Sequence, residues 1–536
     1  METKLLRDTT EDIALAAKII NDSGIVAMPT ETVYGLAANA LDGNAVRKIF
    51  KAKGRPMDNP LIVHVSSVKM AEDLHLYREF TKDAKALAEK FWPGPLTIIL
   101  PKGDCIPDEV SAGLSTVAVR CPSHKVAQKL IELSGKPLAA PSANISGKPS
   151  PTKFQHCVND LMGKADAIID GGECAVGVES TVVTLATNPP RLLRPGGVTV
   201  EQLESVLGKV EIDDAVLDKL KENEVASSPG MKYKHYAPSA QVYLVKGKEF
   251  VEFVNRVSDS TTAVVCFDED KSRINSVTYP IGSRNDYFSH AHKIFDVLRQ
   301  IDKDESIKKV FAPLPKVEGV SLAVYNRLIR ASAFRIINAD AYVVGLTGPT
   351  GAGKSTASRV FEKNGYHIVD TDKIARKAVE KGSPLLPQIA KAFGEDVIDS
   401  EGCLNRKLLA KKAFETREKT EILNSITHPY IYEKALLEIE EYSNKGCDKF
   451  ILDAPVLFES GGEKYCKKTV AVISSLEKRI ERIIKRDNLT HNEAMARINA
   501  QHSDDYYTQR ADFVMYNNGG QIELENEIIR LINGEL

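Results

Sequence analysis

The stretch VVGLTGPTGAGKST, Val343 to Thr356, decides the class of this 536-residue chain. Within it, Gly348-Pro349-Thr350-Gly351-Ala352-Gly353-Lys354-Ser355 is a full match to the phosphate-binding pattern GxxxxGK[ST]. Glycines there let backbone N–H groups fold around phosphate oxygens, while a helix N-terminus aims its dipole at the charge. An apolar β-branched run precedes the loop, and Thr356 to Lys363 reads as a helix stopped by Asn364-Gly365. The expectation is a nucleotide site built on Gly351, Ala352, Gly353, Lys354, Ser355 and Thr356. Lys354 would reach the β/γ-phosphates, and Ser355 would hold Mg²⁺. A motif of this kind opens a domain, so the long segment before it needs its own reading.

Downstream, Tyr366 to Val369 reads as a second strand that delivers Asp370-Thr371-Asp372 at its end. A carboxylate at that point either binds Mg²⁺ or accepts a proton from a substrate hydroxyl, and Asp370 alone could instead be a helix N-cap. Residues 373 to 446 are largely helical with polar breaks. Phe450 to Asp453 is a buried strand ending in an acid, in the manner of a Walker B position. Thr469 to Ile473 is a further strand, followed by an Arg-rich helical stretch with Arg479, Arg482, Arg486 and Arg497. Such a stretch is either a solvated face or a lid that folds onto ATP.

Composition narrows the setting. The formal net charge is −2, which favours neither an acidic nor a basic partner, so charge must be read locally. The eight cysteines show no CxxC or Cys/His cluster and fit reduced thiols of a cytoplasmic protein. The charged start METKLLRDTTEDIA, and the lack of any apolar run of about 18 residues, predict neither secretion nor membrane insertion.

Residues 1 to 205 alternate helices and strands, an α/β pattern. Thr9 to Asn21 predicts a helix with Ile13, Ala16, Ala17 and Ile20 on one face, followed by a strand from Ile25 to Met28. Polar residues repeatedly mark the ends of short apolar strands: Thr32 after that first strand, His64 within Leu61 to Val65, Arg120 after Thr116 to Val119, Ser142 after Leu138 to Ala140, and Glu179-Ser180 before Thr181 to Leu185. Ligands of α/β sheets gather at such strand ends. Lys51, Lys53 and Arg55 form a cationic run, and with Arg120 and Arg194 they suggest a polyanionic substrate such as a nucleoside triphosphate. No paired carboxylate or Ser/His/Asp arrangement is evident there, so positioning and charge stabilisation would carry the chemistry.

Six stretches in order now specify a family. PTETVYGL (Pro29 to Leu36), KGRP with DNPLIVH (Lys53 to His64), WPGPLT (Trp92 to Thr97), TVAVRCP (Thr116 to Pro122), APSANISG (running through Pro141 to Gly147) and GVESTVV (Gly177 to Val183) resemble the YrdC-like threonylcarbamoyl-adenylate synthases. The resemblance implies that L-threonine, bicarbonate and ATP give threonylcarbamoyl-AMP and pyrophosphate, the activated intermediate for tRNA threonylcarbamoyladenosine. It implies that Thr32, His64, Arg120, Ala140 and Ser180 contact threonine. It further implies that Arg55, Asn59, Thr116, Ser142, Ser150 and Arg194 contact ATP, with Lys53 adding positive charge. Lys53 and Arg55 are on that basis the catalytic cations, and Mg²⁺ accompanies ATP. The synthase step would not require tRNA contact, although tRNA-modification proteins are possible partners.

Residues 206 to 239 read as a connector, but MKYKHYAP (Met231 to Pro238) resembles the loop that closes over ATP in the longer synthases, which makes Lys234, His235 and Tyr236 candidate contacts. Residues 240 to 338 form a second, small Rossmann-like α/β unit, similar to the C-terminal domain of those longer enzymes. It has strands at Gln241 to Val245, Ala263 to Phe267 and Lys309 to Phe311, and helices at Asn285 to Ile301 and Leu322 to Phe334.

In residues 342 to 536, DTDKIAR (Asp370 to Arg376), LNRKLL (Leu404 to Leu409), Thr427-His428-Pro429, DAPVLFES (Asp453 to Ser460), RIIKRD (Arg482 to Asp487) and RINAQ (Arg497 to Gln501) resemble dephospho-CoA kinase. That implies a P-loop NTPase fold with helical lid and acceptor regions, and γ-phosphate transfer from ATP to the ribose 3′-hydroxyl of dephospho-CoA. Asp372 would be the base, Lys354 would stabilise the phosphate, and Arg406 and His428 would lie toward the acceptor. After Gln501 the family tends to show Met-Pro and then a lysine, whereas His502-Ser503 and Tyr507 stand here. Two rivals are of other classes: an RNA-binding module in residues 1 to 338, and a guanine-nucleotide switch or other small-molecule kinase in the rest. The first lacks paired stacking aromatics on a strand. A switch would need NKxD, and Asn444-Lys445-Gly446-Cys447-Asp448 places its Asp one residue late.

Overall fold

A computed structural model describes residues 2–218 and 236–534. The chain divides into two compact units, Met1–Leu244 with Ser258–Arg335, and Val245–Val257 with Ile336–Leu536. The expected lid residues Lys234 and His235 lie outside the described residues.

The first unit begins as the sequence pattern requires. Thr9 accepts a hydrogen bond from the Asp12 N–H and caps the helix Thr10–Asn21, whose buried face is Ile13, Ala16, Ala17 and Ile20. An 11-stranded mixed sheet follows, and its register sets the site. Strand Ile62–His64 runs parallel to Thr116–Arg120, pairing His64 with Arg120. Thr116–Arg120 is antiparallel to Leu96–Pro101, which pairs Arg120 with Thr97 and Thr116 with Pro101. Leu96–Pro101 is parallel to Thr181–Thr184, and Thr181–Thr184 is antiparallel to Arg191–Arg194. His64, Thr97, Arg120, Ser180 and Arg194 are thereby drawn to one end of four adjoining strands and their neighbour. Helix Gly43–Lys53 ends at Gly54 in the left-handed conformation (φ 61°), which turns the chain between Lys53 and Arg55.

The rest of this unit carries parallel strands Thr262–Cys266, Val277–Pro280 and Lys309–Pro313, with helices Tyr287–Ile301 and Ser321–Ala331 packed on each other. The strand Val277–Pro280 is an addition to the sequence reading; its residues are half-exposed, so no apolar run marked it.

In the second unit five parallel strands stand in the order His367–Asp370, Lys449–Asp453, Tyr342–Thr347, Lys468–Ile473 and Phe513–Tyr516. The phosphate-loop strand is central, so its loop opens at the carboxyl edge between neighbours, where α/β ligands bind. Helix Lys354–Lys363 leaves that loop as expected. Strand Phe513–Tyr516 is a further addition to the sequence reading. Helix Phe250–Val257, which falls within the residue range of the small α/β domain, groups with this unit. Its Arg256 donates to the Lys464 carbonyl, and Glu249 just before it pairs with Lys467 at 2.7 Å.

Candidate active sites

The first site is a cavity lined by Thr30, Thr32, Lys53, Arg55, His64, Arg120, Ala140, Ser142, Asn144, Glu179, Ser180, Arg194 and Tyr236. Arg120 is its anchor. Its guanidinium pairs with Glu31 at 2.6 Å, donates to the Thr32 hydroxyl at 2.8 Å and to the Gly94 carbonyl at 3.3 Å. Beside it the buried His64 is held neutral: burial, reinforced by Arg120, lowers its pKa to about 3. The Ser180 hydroxyl is 2.8 Å from that of Thr97 and accepts from Arg194 at 3.0 Å. Burial brings Arg55 and Arg194 down to about 10, which leaves both charged at neutral pH. The cavity is therefore a dry, cationic pocket with hydroxyls and a neutral imidazole on one wall, suited to an anionic ligand that also presents an amine or hydroxyl.

The second site surrounds the phosphate loop. Gly348 has φ 145°, and a Cβ there would lie 2.3 Å from the Val472 carbonyl oxygen. Gly353, at φ 106°, precedes the helix and would push a Cβ to within 1.9 Å of Asn517 Nδ2. The pattern's glycines are thus required by backbone angle and by close approach. Lys354 forms an ion pair with Asp453, whose other oxygen accepts from Ser358 at 2.5 Å. Asp372 is nearby; partial burial, with Asp370 and Asp453 adding to it and Lys354 opposing, raises its carboxyl above the ordinary value. An open cleft of about 840 Å³ adjoins, lined by Ser355, Arg359, Asp370, Lys373, Lys377, Tyr430, Lys434 and Asp453 among others.

Residues 18–196 match the family model described as Telomere recombination, 198–333 that of Threonylcarbamoyl-AMP synthase, C-terminal domain, and 342–523 that of Dephospho-CoA kinase. The threonylcarbamoyl-AMP synthase of Pyrococcus abyssi is 47% identical over 331 residues, which is 61% of this chain and 95% of that relative. The dephospho-CoA kinase of Corynebacterium glutamicum is 39% identical over 189 residues, 35% of this chain and 94% of that relative. The chain belongs to both families, as a fusion. The crystal structure of P. abyssi Sua5 complexed with L-threonine matches the synthase part at 44% identity and TM-score 0.58, covering 63% of this chain and 99% of that one.

In the synthase part, the structure brings together all five residues expected around threonine, Thr32, His64, Arg120, Ala140 and Ser180. Of those expected around ATP, Arg55, Ser142, Arg194 and Tyr236 line the same cavity, and Asn59, Thr116 and Ser150 do not. Ser150 is fully buried and spends its hydroxyl on Glu179. Thr116 sits at the end of its strand away from Arg120. Asn59 is buried with its backbone carbonyl 3.4 Å from Arg55. Lys53 is buried, and its ammonium bonds the Ser142 and Asn144 carbonyls, so it holds that loop as well as lending charge. Desolvation, with Arg55 adding, lowers its pKa well below that of an ordinary lysine. Sequence reasoning gave no role to Glu31, the partner of Arg120, or to Glu179, although both lie inside the quoted motifs.

In the kinase part, Ser355 lines the cleft, whereas Lys354, Asp372, Arg406 and His428 do not; Asp372 lies close enough to Lys354 and Asp453 to feel both charges. Arg406 donates to the Arg376 carbonyl at 3.1 Å, and His428 sits half-buried on the long helix Arg417–Asn444. Asp370 proves to be an N-cap, accepting from the Lys373 N–H. The arginines that the sequence left open between a solvated face and a lid bond to groups close by. Arg479 donates to the Thr350 carbonyl and pairs with Asp504, and Arg482 donates to the Gly351 and Ala352 carbonyls. They brace the back of the loop, while Arg486 and Arg497 both pair with Asp487. The departures from the family pattern are likewise structural: Tyr507 packs on Ala471 and Ile473, His502 stacks on Tyr506 at 3.9 Å, and Ser503 precedes the helix Asp504–Thr508.

Proposed function

We propose that the chain carries two independent ATP-using activities. The first joins L-threonine, bicarbonate and ATP into threonylcarbamoyl-AMP with release of pyrophosphate, for tRNA threonylcarbamoyladenosine. The observation that carries it is the convergence of Arg120, His64, Thr32 and Ser180 from four separate motifs on one buried pocket with Arg55 and Arg194. Arg120 meets the threonine carboxylate, and neutral His64 with the Thr32 and Ser180 hydroxyls fixes its polar groups. The threonine amine and bicarbonate condense to a carbamate with loss of water; a carbamate oxygen then attacks the α-phosphorus, the bond to the β-phosphate oxygen breaks, and Arg55 and Arg194 neutralise the charge that passes to the leaving pyrophosphate. The synthase step needs no tRNA at this pocket; tRNA-modification proteins are the natural takers of the product.

The second activity moves the γ-phosphoryl group of ATP to the ribose 3′-hydroxyl of dephospho-CoA. Asp372 accepts the hydroxyl proton, the loop N–H groups and Lys354 hold the phosphates, and Lys354 exchanges Asp453 for a phosphate oxygen when the nucleotide enters. The acceptor lies in the open cleft, where Lys373, Lys377 and Lys434 suit its diphosphate. Ser355 and Asp453 present the hard oxygen donors that Mg²⁺ takes together with substrate phosphates, and both line this cleft. Bound there, Mg²⁺ would supply positive charge against the phosphates of ATP.

No helix among the described residues is long and apolar enough to cross a membrane, and we place both activities in the cytoplasm. The test is the purified chain given ATP with threonine and bicarbonate, or ATP with dephospho-CoA. Threonine-dependent pyrophosphate and dephospho-CoA-dependent ADP are expected; ATP turnover without dependence on either co-substrate contradicts the assignment.

A further inference from the structure

Among the described residues that line the synthase pocket, one is a carboxylate, Glu179. Glu179 lines the cavity and is buried among its cations. Its near neighbour Arg194 is bound to Ser180, the next residue along. The charge that matches Glu179 arrives from elsewhere in the sequence. Arg327, on the helix Ser321–Ala331 of the small α/β domain, is fully buried and approaches Glu179 Oε2 at 2.9 Å through both Nε and Nη2. Its Nη1 donates to the carbonyl of Pro195, which follows Arg194 directly. Its guanidinium carbon also lies 6.0 Å from the ring centre of Tyr236, a residue of the cavity wall.

We infer that Arg327 is a positioning residue of the synthase reaction: by neutralising Glu179 and gripping the Pro195 carbonyl, it keeps Arg194 free to face the phosphates of ATP. This rests on the synthase reading of the pocket given above. The physical argument is one of charge allocation. Glu179 with two guanidiniums leaves one positive charge in excess, and with Arg194 alone it leaves none. Without Arg327, Glu179 either claims Arg194 or stands unpaired before a polyanion. Burial alone would raise the Glu179 carboxyl, and it is Arg327 with Arg194 that holds it below its ordinary value. The domain with no phosphate loop and no catalytic cluster of its own thereby supplies a charge that the synthase pocket lacks.

The experiment measures threonine-dependent pyrophosphate release by the full chain for the natural protein, R327M and E179Q/R327M between pH 6 and pH 9, with the calorimetric melting transition of the synthase unit as the control for folding. R327M should lower kcat/KM for ATP at least about tenfold and move the KM for threonine less. Because the uncompensated Glu179 carboxyl titrates upward, the deficit should shrink as pH falls. E179Q/R327M, which buries no unpaired charge, should recover part of the loss and show no such pH dependence. A natural-like R327M, or a deficit that is flat with pH and unrelieved by E179Q, overturns the inference. If R327M lowers that transition, the double variant decides alone: a natural-like transition with a pH-independent synthase deficit supports the inference, and full synthase activity overturns it. A natural chain that releases no threonine-dependent pyrophosphate defeats the underlying reading of the pocket, and the inference with it.

Discussion

Substituting Gly353 by alanine isolates what the phosphate loop demands of its backbone, because Gly365, at the other end of the same helix, provides a matched control. Both glycines adopt positive φ, 106° and 87°, so alanine at either incurs the left-handed penalty of about 1–2 kcal/mol. Only at Gly353 does the new Cβ meet another group, Asn517 Nδ2 at 1.9 Å, whereas nothing lies within 4 Å of a Cβ at Gly365. Asn517 must move, and its 2.7 Å bond to the Ala352 carbonyl is lost, about another 1 kcal/mol. The formed loop is then disfavoured by about 2–3 kcal/mol, equivalent to a loss of roughly thirty- to a hundred-and-fifty-fold in kinase kcat/KM. The assay is dephospho-CoA-dependent ADP formation, with threonine-dependent pyrophosphate release as the internal reference. G353A should lose the first and keep the second, and G365A should keep both with only a modest fall in the melting temperature. Equal kinase loss in the two variants, or loss within threefold for G353A, would refute the steric argument.

Asp372→Asn should cut kinase turnover at least about a hundredfold while calorimetry still records ATP binding; and because the base must be deprotonated, natural turnover should decline as pH falls through the Asp372 pKa, which burial raises above its ordinary value. Arg55→Ala should abolish threonine-dependent pyrophosphate release and leave kinase rates unchanged, and a joint loss would argue against independent sites. Arg120→Met strands Glu31 in a buried setting, so scanning calorimetry should show the synthase unit destabilised by about 3–5 kcal/mol, and an unshifted transition would deny the pair its structural role. His64 remains neutral in the folded chain down to about pH 3. The unfolded chain takes up that proton near pH 6.5, so the stability at stake is full above 6.5 and falls away as pH drops toward 3. His64→Gln should flatten that part of the stability profile, as followed by denaturant titration.

Much of the fold was legible because local signals agreed. The phosphate loop stood between an apolar run and a capped helix, and Thr9, Ile13, Ala16 and Ile20 fall where a capped amphipathic helix puts them. Strand ends carrying polar residues marked His64, Arg120 and Ser180, and the register of four strands then brought them together. What could not be read was pairing over distance. Arg327 and Glu179 are 148 positions apart and on different domains, and neither is unusual in its own segment. Helical period says that Phe250–Val257 has an apolar face, but not which unit that face joins. The arginines at 479 and 482 were ambiguous for a related reason: a basic helix bracing backbone carbonyls has the same spacing as one that closes over ATP. Strand Phe513–Tyr516 is a four-residue apolar run, FVMY, and a run that short does not by itself separate a strand from a helix segment.

The account stands or falls on one chain holding two separate nucleotide sites. Its most direct test is a single reaction containing the purified protein, ATP, threonine, bicarbonate and dephospho-CoA, with products resolved by mass spectrometry for the natural chain, R55A and D372N. Threonylcarbamoyl-AMP and CoA from the natural chain, only CoA from R55A and only threonylcarbamoyl-AMP from D372N is the expected result. The absence of either product from the natural chain, or the loss of both in one variant, contradicts it.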